Sequence, residues 1–149
     1  HLGATSCMLA LANKHNKVYC VDTWRNDGQM PDYHKDTFSE FKNNTKDFSN
    51  IITLRGTSEE VVKDFNEKID LLFIDGDHSY DAVKKDVLNW IPKCKEDAMV
   101  AFHDVGPTGS VVYGVTKVID EYIKPIEKKV IKRLINLYVI QVSPRNLKT

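Results

Sequence analysis

Two apolar runs in this chain end abruptly in carboxylates and imidazoles. Ile69-Asp70-Leu71-Leu72-Phe73-Ile74 runs into Asp75-Gly76-Asp77-His78, and Ala98-Met99-Val100-Ala101-Phe102 runs into His103-Asp104. Such a mixture can move protons near neutral pH or hold a divalent cation. Two short apolar runs with a helical segment between them read as neighbouring parallel strands. Open α/β sheets bind ligands in the crevice outside the carboxyl ends of their strands, and both clusters fall there. Packing alone does not account for so many ionisable groups at one edge.

The rest of the chain supplies elements to position them. Met8, Leu9, Leu11 and Ala12 give a helix over about 5–14 its apolar side, with Thr5 or Ser6 as cap. Lys17 to Asp22 reads as a short strand ending in Asp22, and residues 24–32, with Gly28 and Pro31, as a polar loop. Phe38, Phe41, Thr45 and Phe48 recur at helical spacing, and Asn50 to Leu54 is a strand closed by Arg55-Gly56. Thr57 or Ser58 caps the next helix, with Glu59 or Glu60 where a capping box wants an acid. Strand 69–75 leads to a helix over 80–91 that Pro92 ends. Strand 98–103 is followed by a loop over 105–110, then by a helix carrying Val115, Val118, Ile119, Tyr122 and Ile123. Alternating apolar residues predict two antiparallel strands, 129–135 and 137–143, turning near Asn136. Alternation of strands and helices calls for a doubly wound, mostly parallel α/β sheet with helices on both faces. The terminal hairpin departs from that plan.

The bulk numbers narrow the function. At 149 residues, 42% hydrophobic and 28% charged, the chain suits a single globular domain, 1–149. Lys+Arg and Asp+Glu balance at 21 each, so no global field favours nucleic acid or an anionic membrane. Cys7, Cys20 and Cys94 are odd in number and lack C-x-x-C spacing, which argues against a disulfide framework or structural zinc and fits a cytoplasmic protein. No run approaches 18 apolar residues.

In order, these motifs resemble the class I, Rossmann-like S-adenosylmethionine-dependent methyltransferases. Leu2-Gly3-Ala4-Thr5-Ser6 looks like the close of the family's first, glycine-rich motif. Val21-Asp22-Thr23-Trp24 matches the acid that ends strand two, and Arg55-Gly56-Thr57-Ser58 the loop after strand three. Phe73-Ile74-Asp75-Gly76-Asp77-His78-Ser79-Tyr80 matches the strand-four signature. With His103-Asp104 after it, that string resembles small-molecule O-methyltransferases close to the macrolide-sugar and cephalosporin-pathway enzymes. The chain opens at His1 without an initiator Met, so the resemblance implies an N-terminally truncated domain whose first strand is missing. An apolar strand ending in Glu or Asp, then x-Gly, is expected ahead of Leu2.

The resemblance assigns roles. Gly3 would let the backbone approach the methionine end of the cofactor, or is plain helix entry. Asp22, with Thr23 and Trp24 after it, would accept the ribose hydroxyls, or cap a turn. Gly56, Thr57 and Ser58 would meet the adenine edge, or serve the helix cap. Trp24, Tyr33 and His34 wall the adenine or the acceptor, or anchor the loop. Asp75, also near the cofactor, would with His103 and Asp104 hold Mg²⁺, or Mn²⁺ given the imidazole. Their bland reading is a pair of loop carboxylates with a half-buried His103. His78 is the candidate general base, imidazole being the side chain most often used for proton transfer; the alternative is a histidine bonded to Asp75 or Asp77.

The expected activity is methyl transfer from S-adenosylmethionine to an oxygen of a small molecule, with room for a homo-oligomer and no nucleic-acid or membrane partner. The rival classes are a metal-dependent hydrolase or lyase built on Asp75, Asp77, His78, His103 and Asp104, and a non-catalytic nucleotide-binding Rossmann domain.

Overall fold

A computed structural model describes residues 2–25 and 36–148. Its contacts divide the chain into two compact units, His1–Asp64 and Phe65–Thr149, each of α/β type. Among the described residues no helix is long and apolar enough to cross a membrane. The loop residues Gly28 and Pro31 and the candidate walls Tyr33 and His34 lie outside the described residues.

The first unit runs α1 (Ala4–Ala12), β1 (Val18–Asp22), α2 (Phe38–Thr45), β2 (Ile51–Arg55) and α3 (Ser58–Asp64). Strands β1 and β2 pair in parallel, Val18 opposite Ile51 and Asp22 opposite Arg55. Helix α1 begins one residue before the Thr5 and Ser6 expected to cap it. Its N-cap is Gly3, with φ at 98°, a left-handed conformation that a side chain disfavours. A Cβ there would also sit 2.8 Å from Cγ2 of Thr45. Trp24 fills the core of this unit, its ring 5.0 Å from Phe38 and 4.9 Å from Phe41.

The second unit runs β3 (Ile69–Ile74), α4 (Tyr80–Trp90), β4 (Cys94–His103), α5 (Tyr113–Val118), β5 (Glu127–Arg133) and β6 (Leu137–Val142). Pro92 lies in a short 3-10 turn that closes α4, as its missing N–H requires. The helical run expected through Ile123 is α5 continued by a π-helical turn, Ile119–Ile123. The hairpin forms, but its second strand lies inside: the sheet order is β3-β4-β6-β5. Strands β3 and β4 are parallel, while β6 is antiparallel to both β4 and β5.

Side-chain alternation divides the sheet into two faces. Ile74, Val100, Phe102, Tyr138, Ile140 and Val142 lie on one face, buried with Val83 and Val87 of α4 and Val115 and Val118 of α5. Leu71 and Met99, on the other, are 40% and 41% exposed. Ile140 sits at the centre of the covered face, opposite Val100 on one side and Val130 on the other. Truncating Ile140 to Ala should cost about 2–5 kcal/mol, the range for a fully enclosed aliphatic side chain. Ile135→Ala, at a position 98% exposed, should stay within about 0.5 kcal/mol. Urea melts of the two variants check this, and equal shifts would mean that the core lies elsewhere.

Candidate active site

The parallel register of β3 and β4 places Ile74 beside Phe102. The next residues, Asp75 just past β3 and His103 at the last position of β4, therefore stand side by side at the sheet edge. His103 Nδ1 lies 3.2 Å from Oδ1 of Asp75 and 3.2 Å from Oδ2 of Asp104. His78 Nε2 approaches the same Asp104 oxygen at 3.1 Å. Asp75, His78 and Asp104 each present one ligand atom within 4.8 Å of the others. The two strand ends come together, but the gathered set contains His78 where the sequence reading placed His103, which contacts both carboxylates without being part of that group.

Local structure holds each member in place. Past Gly76, Asp77 Oδ1 accepts the Ser79 N–H at 2.8 Å, and Ser79 caps α4 by accepting from the Ala82 N–H at 3.4 Å. His78 is thus fixed between a side-chain turn and a helix cap. The Asp77 carboxylate serves that turn. Asp104 adopts φ of 54°, a left-handed conformation that Asp tolerates better than most residues. The turn between β5 and β6 braces the other side: the Val105 N–H donates to the Asn136 carbonyl at 3.3 Å, and the Asn136 amide lies 3.4 Å from Nε2 of His103.

The electrostatics are those of partly desolvated charges gathered together. Burial raises the Asp75 carboxyl above its ordinary range; His103 opposes the shift, and the Asp104 carboxylate adds to it. Nε2 of His78 and Nδ1 of His103 are shielded from solvent, yet neither makes a hydrogen bond of acceptable geometry. Two buried, unsatisfied imidazole nitrogens beside carboxylates fit a site made for a cation.

In the first unit, Asp22 to Trp24 and Gly56 to Ser58 lie at and just past the paired ends of β1 and β2, with structural tasks of their own, while Gly3 caps α1. Asp22 Oδ1 accepts the Trp24 N–H at 2.7 Å, and the Gly56 N–H donates to the Asp22 carbonyl at 3.1 Å. Thr23 Oγ1 accepts from the Arg25 N–H at 3.3 Å. Thr57 and Glu60 form the expected capping box, in which the Thr57 N–H and hydroxyl both donate to Glu60 Oε2, at 3.0 and 2.8 Å. One assignment is corrected here. Trp24 is 1% exposed, so its indole is core and only its backbone can face a ligand. The donors of Thr57 are engaged by Glu60, so an adenine contact through them would break the cap.

Sequence reasoning missed Gly114 and Asn136. A Cβ on Gly114 would lie 2.4 Å from the His78 carbonyl and 2.5 Å from the Tyr80 nitrogen, both backbone atoms. The signal was available: a glycine within an apolar helical run costs ~1 kcal/mol against alanine and needs a packing reason. For Asn136 only the turn was legible.

Comparison with known proteins agrees with the order of motifs. A protein-family model described as "Methyltransferase domain" matches residues 1–105. An uncharacterized protein, y4gI, of Sinorhizobium fredii (strain NBRC 101917 / NGR234) is 32% identical over 98 residues, which is 64% of this chain and 11% of that protein. The O-methyltransferase NovP superposes with a TM-score of 0.65 at 15% identity, over 91% of this chain and 64% of its own. CalS11, a TDP-rhamnose 3'-O-methyltransferase of calicheamicin biosynthesis, gives 0.63 at 12%, over 95% of this chain and 66% of its own. The chain therefore spans about two thirds of these two structures and a small part of y4gI.

The packing of Gly114 generates a test. Gly114→Ala should destabilise the protein by about 1–3 kcal/mol, because overpacking against backbone outweighs the gain of ~1 kcal/mol in helix propensity. Thermal melts followed by circular dichroism measure it; a raised melting temperature would show that α5 does not press on the His78 loop.

Proposed function

The chain belongs to the family of methyltransferase domains, and on that premise we propose that it transfers a methyl group from S-adenosylmethionine to an oxygen of a diffusible small molecule. When bound, the donor supplies an electrophilic methyl on its sulfonium, and the displacement needs no covalent enzyme intermediate. The protein aligns the acceptor and removes its proton. The observation that carries this reading is the convergence of Asp75, His78, His103 and Asp104 on adjacent strand ends. A hydroxyl acceptor must lose a proton as it is methylated, and the cluster is equipped to take it. The O-methyltransferase relatives NovP and CalS11 support oxygen as the acceptor atom.

Roles follow for individual residues. Asp22 accepts the ribose hydroxyls, with Thr23 and the Trp24 backbone shaping the turn. Gly3 keeps a side chain out of the path of the methionine end. Ser58 meets the adenine edge, while Gly56 and Thr57 hold that loop in shape. Asp75, with His103 and Asp104, holds a divalent ion, Mg²⁺ or Mn²⁺, which would acidify and orient a hydroxyl. His78 is the general base. Balanced charge and free cysteines support a cytoplasmic enzyme with a small-molecule acceptor, acting neither on nucleic acid nor at a membrane, and compatible with a homo-oligomer.

A second reading concerns His78 alone. Its Nε2 is turned into the carboxylates rather than outward. That favours a ligand role, with the ion acidifying the acceptor.

Two measurements test the proposal. Calorimetry with S-adenosylhomocysteine should show saturable binding that Asp22→Ala weakens by about 1.5–3 kcal/mol, the scale for hydrogen bonds to a charged group; unchanged affinity removes Asp22 from the donor site. At saturating donor and acceptor, His78→Ala should lower turnover by roughly 10²–10⁴ while donor affinity holds, as expected for loss of a base. Near-normal turnover would make His78 a structural loop residue.

A further inference from the structure

His103 Nδ1 stands 3.2 Å from each of two carboxylate oxygens, and His78 Nε2 stands 3.1 Å from one of the same pair. Neither nitrogen completes a hydrogen bond, and both are buried. A lone pair facing a carboxylate is repelled, and an N–H facing it at a poor angle gains little. A cation among Asp75, His78 and Asp104, whose ligand atoms lie within 4.8 Å of one another, turns these three groups into ligands, and His103 Nδ1 stands beside both carboxylates to join them. Neighbouring ligand atoms of a six-coordinate ion bound at ~2.1 Å are about 3.0 Å apart. The nitrogen–oxygen contacts of 3.1 and 3.2 Å are close to that spacing, and Asp75, His78 and Asp104 are already gathered.

We propose that His78 Nε2, His103 Nδ1 and the carboxylates of Asp75 and Asp104 form a mixed nitrogen–oxygen site that selects a transition-metal dication, such as Mn²⁺, Co²⁺ or Zn²⁺, over Mg²⁺. This rests on the ion-assisted form of the proposed function. The donor set decides the selectivity. Mg²⁺ takes oxygen ligands and gives up water reluctantly, whereas imidazole nitrogen suits Mn²⁺ and the later divalent metals. Two imidazoles among four protein ligands shift the balance further than one.

Asn136 supplies the supporting contact such a site needs. A ligating histidine commonly donates its other ring N–H to an oxygen, which fixes the tautomer. Asn136 Nδ2 lies 3.4 Å from the far nitrogen of His103. Amide orientation is assigned from the hydrogen-bond network, and with Oδ1 turned toward Nε2 the amide accepts that proton and leaves Nδ1 to the ion. His78 would then be a ligand and not the base.

The test uses chelator-treated protein without donor or acceptor, so its outcome is independent of methyl transfer. Calorimetry should show Mn²⁺ and Zn²⁺ binding at least about tenfold more tightly than Mg²⁺. His78→Ala and His103→Ala should each weaken Zn²⁺ binding by about 10–100-fold with circular dichroism unchanged, and Asn136→Ala by about tenfold. The unmutated protein gives a second readout that needs no variant: pulsed EPR of bound Mn²⁺ should show nitrogen modulation from directly coordinated imidazole. Mg²⁺ binding as tight as Mn²⁺ and indifferent to both histidines, bound Mn²⁺ without nitrogen modulation, or no binding of any ion overturns the proposal. S-adenosylhomocysteine titrated into the same preparation separates the two ideas. Ion binding without nucleoside binding keeps this site and rejects the methyl-transfer reading.

Discussion

The pairing of β3 with β4 is the constraint on which the rest of the second unit depends. Leu72 lies beside Val100 and Ile74 beside Phe102, and Val100 and Phe102 in turn face Ile140 and Tyr138 of β6. All of these pack on the side covered by α4 and α5. A slip of one residue would turn that apolar row out of the core, so burial fixes the register. Once it is fixed, Asp75 and His103 have no choice but to emerge side by side. The chemistry of the strand ends is thus a consequence of hydrophobic packing several residues away.

Gathering these groups has a cost that the fold absorbs locally. Asp75 is held partly away from water beside a second carboxylate, which makes its ionised form harder to keep. Asp104 adopts a left-handed backbone, the kind of sparsely populated conformation that persists only where its surroundings over-determine it. Those surroundings are identifiable. The N-cap of α4 and the turn at Asp77 fix one side, Gly114 presses against the His78 carbonyl, and the hairpin turn at Asn136 fixes the other. Rigid, secondary-structure-based support of this kind suits a site whose donor atoms must stay within a few tenths of an ångström.

The first unit shows how one residue can serve structure and ligand together. Asp22 closes a turn with the Trp24 N–H, and Thr57 and Glu60 close a capping box. Both motifs were legible as local patterns, and both form. Their presence narrows rather than abolishes a binding role. It assigns Thr57 to the upkeep of the loop.

The sequence by itself determined the alternation of strands and helices, the carboxyl ends of β1, β2, β3 and β4 to within one residue, the capping box and the terminal hairpin, but not the start of β4, which lies at Cys94 rather than at 98. These are encoded over two to four residues, in side-chain alternation, helical spacing, and the side-chain oxygens that satisfy exposed backbone N–H groups. Tertiary structure alone decided that β6 lies between β4 and β5, that the Trp24 indole is core, and that His78 shares an Asp104 oxygen with His103. It also decided that Asn136, 33 residues from His103 along the chain, braces that ring, and that Gly114 leaves room for the His78 loop. Such contacts depend on register, packing and rotamer across distant segments, which no local pattern encodes; a strand end can be read as carrying Asp or His, but which atom meets which is settled only when the sheet closes around its core.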